Sequence, residues 1–113
     1  MSDGIFSIRE RHQDGRYRLF LCGELDMQGA AELEAAITRL CKAGALEIEI
    51  NLRDTAFIDS AGVKAIVSAR EQCREHRARF FIVPGSHPSP KLLFEFMKLD
   101  GVLPWEESSA RDQ

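Results

Sequence analysis

Leu46-Glu47-Ile48-Glu49-Ile50-Asn51-Leu52 alternates strictly between apolar and polar side chains. A period of two is the signature of an extended strand whose successive side chains point to opposite faces. Such a strand has one face buried and one face wet. A parallel strand covered by helices on both sides reads instead as a continuous apolar run. The segment therefore predicts a sheet with most helices on one side and part of the other side exposed.

The neighbouring segments supply the rest of that sheet. Phe6 to Arg11 and Arg16 to Cys22 flank Asp14-Gly15, a dipeptide that favours the tight turn between paired strands, so a hairpin is expected. Gly23 breaks the pattern, and a helix follows from about Gln28 to Lys42 with Leu33, Ile37, Leu40 and Cys41 on one face. Gly44 stands where a left-handed cap is expected. A second helix is expected from Ser60 or Ala61 to His76, with Val63, Ile66, Val67 and Cys73 inward. Arg79 to Val83 reads as a strand, and Ser89-Pro90 as the cap and first residue of a third helix carrying Leu92, Leu93, Phe94, Phe96 and Met97. A short last strand is expected near Val102-Leu103. The fold class is α/β: a mixed sheet of about five strands with an N-terminal hairpin and three main helices mostly on one face.

Length and composition bound the class. The 113 residues leave room for one domain, with a core from about 5 to 105 and a frayed polar tail over 106–113. Hydrophobic residues make up 44% and charged residues 29%, ordinary globular values that argue against disorder. A net charge of -3 argues against a nucleic-acid partner, whose footprint is normally basic. Apolar runs such as Phe80 to Val83 fall far below the ~20 residues of a membrane span, and Met1-Ser2-Asp3-Gly4 lacks the start of a signal peptide. A cytoplasmic protein with no membrane insertion is expected. Cys22, Cys41 and Cys73 have no C-x-x-C spacing and sit in apolar patterns, so all three are expected to be buried structural thiols.

Topology directs attention to one edge. In parallel sheets the loops after the strands gather at the carboxyl ends, where functional sites prefer to form. The loops expected there are Gly23 to Asp26, Asp54 to Ser60, and Pro84 to Ser89, each feeding a helix N-terminus that favours negative charge. Asp59-Ser60-Ala61-Gly62 is the most suggestive of them. One reading of Asp59 and Ser60 is plain helix capping; the other is that Ser60 presents its hydroxyl at a helix start able to accommodate a phosphate.

Gly23-Glu24-Leu25-Asp26, followed by Leu52-Arg53-Asp54 and Phe57-Ile58-Asp59-Ser60-Ala61-Gly62-Val63, resembles a STAS domain of the anti-sigma factor antagonist type. The likeness runs from about Ile5 to Trp105, and the two blocks together, in order, are far more specific than either alone. It implies a phosphorylation switch. In such proteins the serine after the aspartate is phosphorylated by a partner that is both an ATP-binding serine kinase and an anti-sigma factor. The unmodified antagonist binds that partner and frees a sigma factor, the phosphorylated form lets go, and a phosphatase resets it. Carried onto this chain, the phosphorylated residue is Ser60, with Asp26 and Asp59 matching the acidic residues near it, and the expected partner surface comprises Asp26, Met27, Phe57, Asp59, Ser60, Ala61 and Lys64. The chain departs from the family at Ala61, where a second hydroxyl residue is common, and at Lys64, where glycine is common. Lys64 either pairs with a phosphate or an acidic partner patch, or is a solvated surface lysine.

Catalysis is not expected. No nucleophile elbow surrounds Ser60, no P-loop or dinucleotide fingerprint occurs, and His12, His76 and His87 have no metal-ligand spacing, so neither cofactor nor metal is implied. The rival reading keeps the fold and changes the role. It makes the chain a STAS-like subunit of a membrane transport complex or a signalling scaffold, binding through the same helix or through Phe94 and Met97 without any phosphate.

Overall fold

Asp14 and Gly15 both adopt positive φ, 52° and 79°, the conformation of the two-residue turn whose twist matches paired strands. They join β1 (Ser7–Gln13) to β2 (Arg16–Leu25) in an antiparallel hairpin, with Gln13 opposite Arg16 and Ser7 opposite Cys22. The computed structural model describes residues 5–85. After β2 come α1 (Met27–Lys42), β3 (Glu47–Ile58), α2 (Ser60–Glu75) and β4 (Arg79–Val83). The sheet order is β1-β2-β3-β4, with β2, β3 and β4 mutually parallel. Both crossovers advance in the same direction across the sheet. Right-handed connections then place α1 and α2 on the same face.

The core lies between that face and the helices. Leu19 and Leu21 of β2, Ile48, Ile50 and Leu52 of β3 and Ile82 of β4 form one buried cluster with Leu33, Ile37 and Leu40 of α1 and Val63, Ile66 and Ala69 of α2. Each buried Leu or Ile contributes roughly 1.5–3 kcal/mol. At its C-terminal end α1 closes on Gly44, whose φ of +87° turns the chain so that the Ala45 N–H reaches the Leu40 carbonyl at 3.1 Å. Arg77, with φ +61°, makes the same turn after α2. A salt bridge from Arg39 to Glu10 at 2.7 Å ties α1 back to β1, and that carboxylate raises the guanidinium's pKa.

Four strands and two helices occupy the described residues. The third helix expected from Ser89-Pro90 and the strand expected near Val102-Leu103 lie outside them. Three other expectations are corrected. The first concerns the wet face of β3: Glu47, Glu49 and Asn51 are all buried, Glu49 at 1% exposure. Long neighbours account for part of this. Arg18 of β2 lies beside Glu49 in register and brings its guanidinium within 3.7 Å of the carboxylate, while Phe81 of β4 flanks Glu49 on the other side. A central strand can thus be dry on its polar face without an apolar residue there.

The second correction is to the loops. Gly23 to Leu25 and Asp54 to Ile58 are strand, not loop. Between Phe20 and Leu25 β2 advances five residues while β3 advances seven, from Asn51 to Ile58, so β3 carries two bulges. They replace the period of two by one of three: Thr55 and Ile58 are buried, while Arg53, Asp54, Ala56 and Phe57 are exposed. Thr55 secures the bulged stretch, donating its hydroxyl to the Leu21 carbonyl at 2.8 Å from a fully buried position. The third correction is Cys22, which is exposed, because it lies on the sheet face away from the helices; Cys41 and Cys73 are buried as expected.

Candidate functional site

Leu25 and Ile58 are partners in the β2–β3 ladder, and each strand passes into its helix through a single residue, Asp26 or Asp59. Both aspartates cap. Asp26 Oδ1 accepts a hydrogen bond from the Gly29 N–H at 3.0 Å, and Asp59 Oδ1 accepts one from the Gly62 N–H at 2.9 Å. The Asp59 N–H in turn donates to the Leu25 carbonyl at 3.3 Å. Two parallel helices therefore start side by side, separated at their roots by about one strand spacing, ~4.8 Å. Gly62 permits this approach, since a Cβ there would lie 2.5 Å from the Leu25 carbonyl oxygen; Gly29 makes room instead for the Phe6 ring, which a Cβ would meet at 2.9 Å.

Ser60 is the first residue of α2. Since Asp59 supplies the cap, the plain capping reading of Ser60 does not hold, and its exposed hydroxyl stands outside the cap. The corresponding first residue of α1 is Met27, 75% exposed. Phe57, on the last bulged stretch of β3, is 45% exposed and faces Glu24 of β2 in register. Ala61 is half-buried and packs against the core cluster, and Lys64 is exposed one helical turn after Ser60. The expected partner-surface residues Asp26, Met27, Phe57, Asp59, Ser60 and Ala61 thus gather at the carboxyl edge of β2 and β3, with Lys64 one turn above.

The electrostatics of this edge oppose one another. Glu24, Asp26, Asp54 and Asp59 bring negative charge, while the N-termini of α1 and α2 bring aligned N–H groups and positive dipole ends that moderate it. Reading the sequence placed Glu24 on this edge but left it out of the expected partner surface, and it missed that Asp26 is a cap. A signal for the second was present: Asp26-Met27-Gln28-Gly29 and Asp59-Ser60-Ala61-Gly62 repeat the same Asp-x-x-Gly spacing, and both caps use it. The described histidines lie elsewhere. His12 stacks on Tyr17 beside the hairpin turn, ring centroids 4.4 Å apart, and His76 Nδ1 sits 3.0 Å from the Gln72 carbonyl at the far end of α2. Among the described residues, no cluster of three or more His, Cys, Asp or Glu could hold a metal ion, and no helix is long and apolar enough to cross a membrane.

Comparison with known proteins bears on the family and the fold. A model of the STAS domain family matches residues 7–111. The anti-sigma-B factor antagonist of Staphylococcus aureus (strain NCTC 8325 / PS 47) is 27% identical over 77 residues, which cover 68% of this chain and 71% of that protein. The crystal structure of an anti-sigma factor antagonist from Mycobacterium paratuberculosis superposes with a TM-score of 0.78 at 24% identity, covering 90% of this chain and 86% of the other. The anti-sigma factor antagonist SpoIIAA in its unphosphorylated form gives 0.76 at 24% identity over 96% and 94%. The Bacillus cell fate determinant SpoIIAA in its phosphorylated form gives 0.70 at 24% identity over 96% and 97%.

Proposed function

Because this chain belongs to the STAS domain family, we propose that it is an anti-sigma factor antagonist, a single domain that binds an anti-sigma factor and so frees a sigma factor. Binding is switched off by phosphorylation of Ser60. The kinase is the anti-sigma partner itself, an ATP-binding serine kinase, and a phosphatase reverses the modification. The observation that carries this reading is the position of Ser60: exposed, first in α2, and relieved of capping by Asp59.

The physics of that position suits a switch. A phosphate adds roughly -1.5 to -2 charges and large hydration. In the free protein the N-terminal dipole of α2 favours the added charge and solvent screens it from Asp59 and Asp26. Under a partner, the phosphate loses its water and meets those same carboxylates in a poorer dielectric. Met27 and Phe57 supply the apolar contact that makes binding favourable without phosphate, and their exposure beside Ser60 supports the assignment. Binding therefore weakens on modification while the fold stays intact.

Capture of partners from the native organism by wild-type and Ser60→Asp protein, side by side, tests the reading. Recovery of an ATP-binding kinase by wild type and its loss with Ser60→Asp is the expected result. Equal recovery of transport or scaffold proteins by both forms overturns the switch in favour of a subunit role.

A further inference from the structure

Away from the Ser60 edge, α1 and α2 bring two thiols together. Cys41 and Cys73 are buried at 3% and 0% exposure in one core cluster, and each thiol influences the ionisation of the other. A hydrogen bond joins the two helices at this level: Thr38 Oγ1 donates to Gln72 Oε1 at 3.1 Å, three residues before Cys41 on α1 and one before Cys73 on α2. Both cysteines stand in the last turn of their helix, since α1 ends at Lys42 and α2 at Glu75. We propose that Cys41 and Cys73 form an oxidisable dithiol that closes to an intramolecular disulfide when a peroxide is the oxidant.

The reaction balances with peroxide alone. The thiolate of one cysteine attacks a peroxide oxygen, the O–O bond breaks, and water leaves as the sulfur becomes a sulfenic acid. The second sulfur then displaces the sulfenic hydroxyl, the S–S bond forms, and the remaining proton leaves with it as a second water. Two thiols are oxidised and one peroxide is reduced.

The surroundings determine the rate. Burial raises both thiols, Cys73 to about 12, so the closed pair is protonated and slow to react. Helix ends open more often than helix centres, because fewer helical hydrogen bonds must break to free them. Reaction therefore follows opening of these two last turns, and reclosure brings the second thiol onto the first. The bond would encircle β3 and the start of α2, Ser60 included, and would tie the far ends of the helices whose N-termini form the candidate site.

The test uses the full chain carrying Cys22→Ser, which removes the exposed thiol. The protein is treated with hydrogen peroxide, unfolded in a maleimide and weighed. A mass lower by two hydrogens, no maleimide on Cys41 or Cys73, a peptide joining the two, and a melting temperature raised by roughly 5–15 °C and restored by dithiothreitol are expected. Full maleimide labelling at every peroxide dose that leaves the fold intact overturns the proposal. So does oxidation of either cysteine to a sulfinic acid, or a disulfide between two chains. A Cys22→Ser, Cys73→Ala protein serves as the control, and a melting point that peroxide raises equally there would also overturn it.

Discussion

Asp59 and Ser60 are adjacent, and their roles separate cleanly by substitution. Removing the cap with Asp59→Ala leaves the Gly62 N–H without its acceptor and is expected to cost about 1 kcal/mol, seen as a melting point lower by roughly 4–8 °C. Ser60→Ala removes a hydroxyl outside the cap and inserts a better helix former, so its melting point is expected within about 2 °C of wild type. A large loss for Ser60→Ala would return Ser60 to a structural role. Lys64 belongs to the same scale. Reversing it with Lys64→Glu is expected to leave stability nearly unchanged, since an exposed charge on one helix turn contributes at most about 1 kcal/mol. If Lys64 faces a phosphate on Ser60, phosphorylated Lys64→Glu protein is expected to be dephosphorylated faster than phosphorylated wild type in the same phosphatase assay.

At the scale of elements, β3 shows which parts of the fold could be read from sequence and which could not. Its first half was legible because Ile48, Ile50 and Leu52 obey a period of two. Its second half was not, because two bulges impose a period of three, which buries Thr55 and Ile58 and leaves the apolar Phe57 exposed. The polar partners of the first half were misread for another reason: periodicity records which residues are polar, whereas burial of Glu49 depends on an arginine and a phenylalanine from other strands. The candidate site was legible through Asp26, Ser60 and their neighbours, while the division of labour between Asp59 and Ser60 became visible only in the hydrogen bonds. Thr55 gives this stretch its own test. Thr55→Val keeps the shape but removes the bond to the Leu21 carbonyl, and a loss of about 1–2 kcal/mol in denaturant unfolding is expected. Unchanged stability would mean that the bulges hold without that bond.

For the molecule as a whole, the buried thiols make stability depend on alkaline pH. Cys73 keeps its proton in the folded protein up to about pH 12, whereas an exposed thiol in the unfolded chain releases its proton near 9. Above pH 9 the unfolded chain therefore binds fewer protons than the folded one, and stability falls as pH rises toward 12. Melting temperatures from pH 8 to 11 are expected to decline more steeply for wild type than for Cys73→Ala. Parallel declines would mean that the Cys73 thiol ionises alike in the folded and unfolded chains.

The one-residue passages at Asp26 and Asp59 also limit how such a chain can diverge. An inserted residue in either passage would rotate its helix by roughly 100° about the axis, turning Leu33 or Ile66 out of the core and carrying the capping carboxylate away from its glycine. Loops elsewhere lengthen freely and let homologous proteins acquire new specificities; here that route is closed. On the partner surface proposed above, copies of this architecture sharing one cell would diverge through the side chains themselves, at Glu24, Met27, Phe57, Ala61 and Lys64, around a serine and two aspartates whose places are fixed by the backbone.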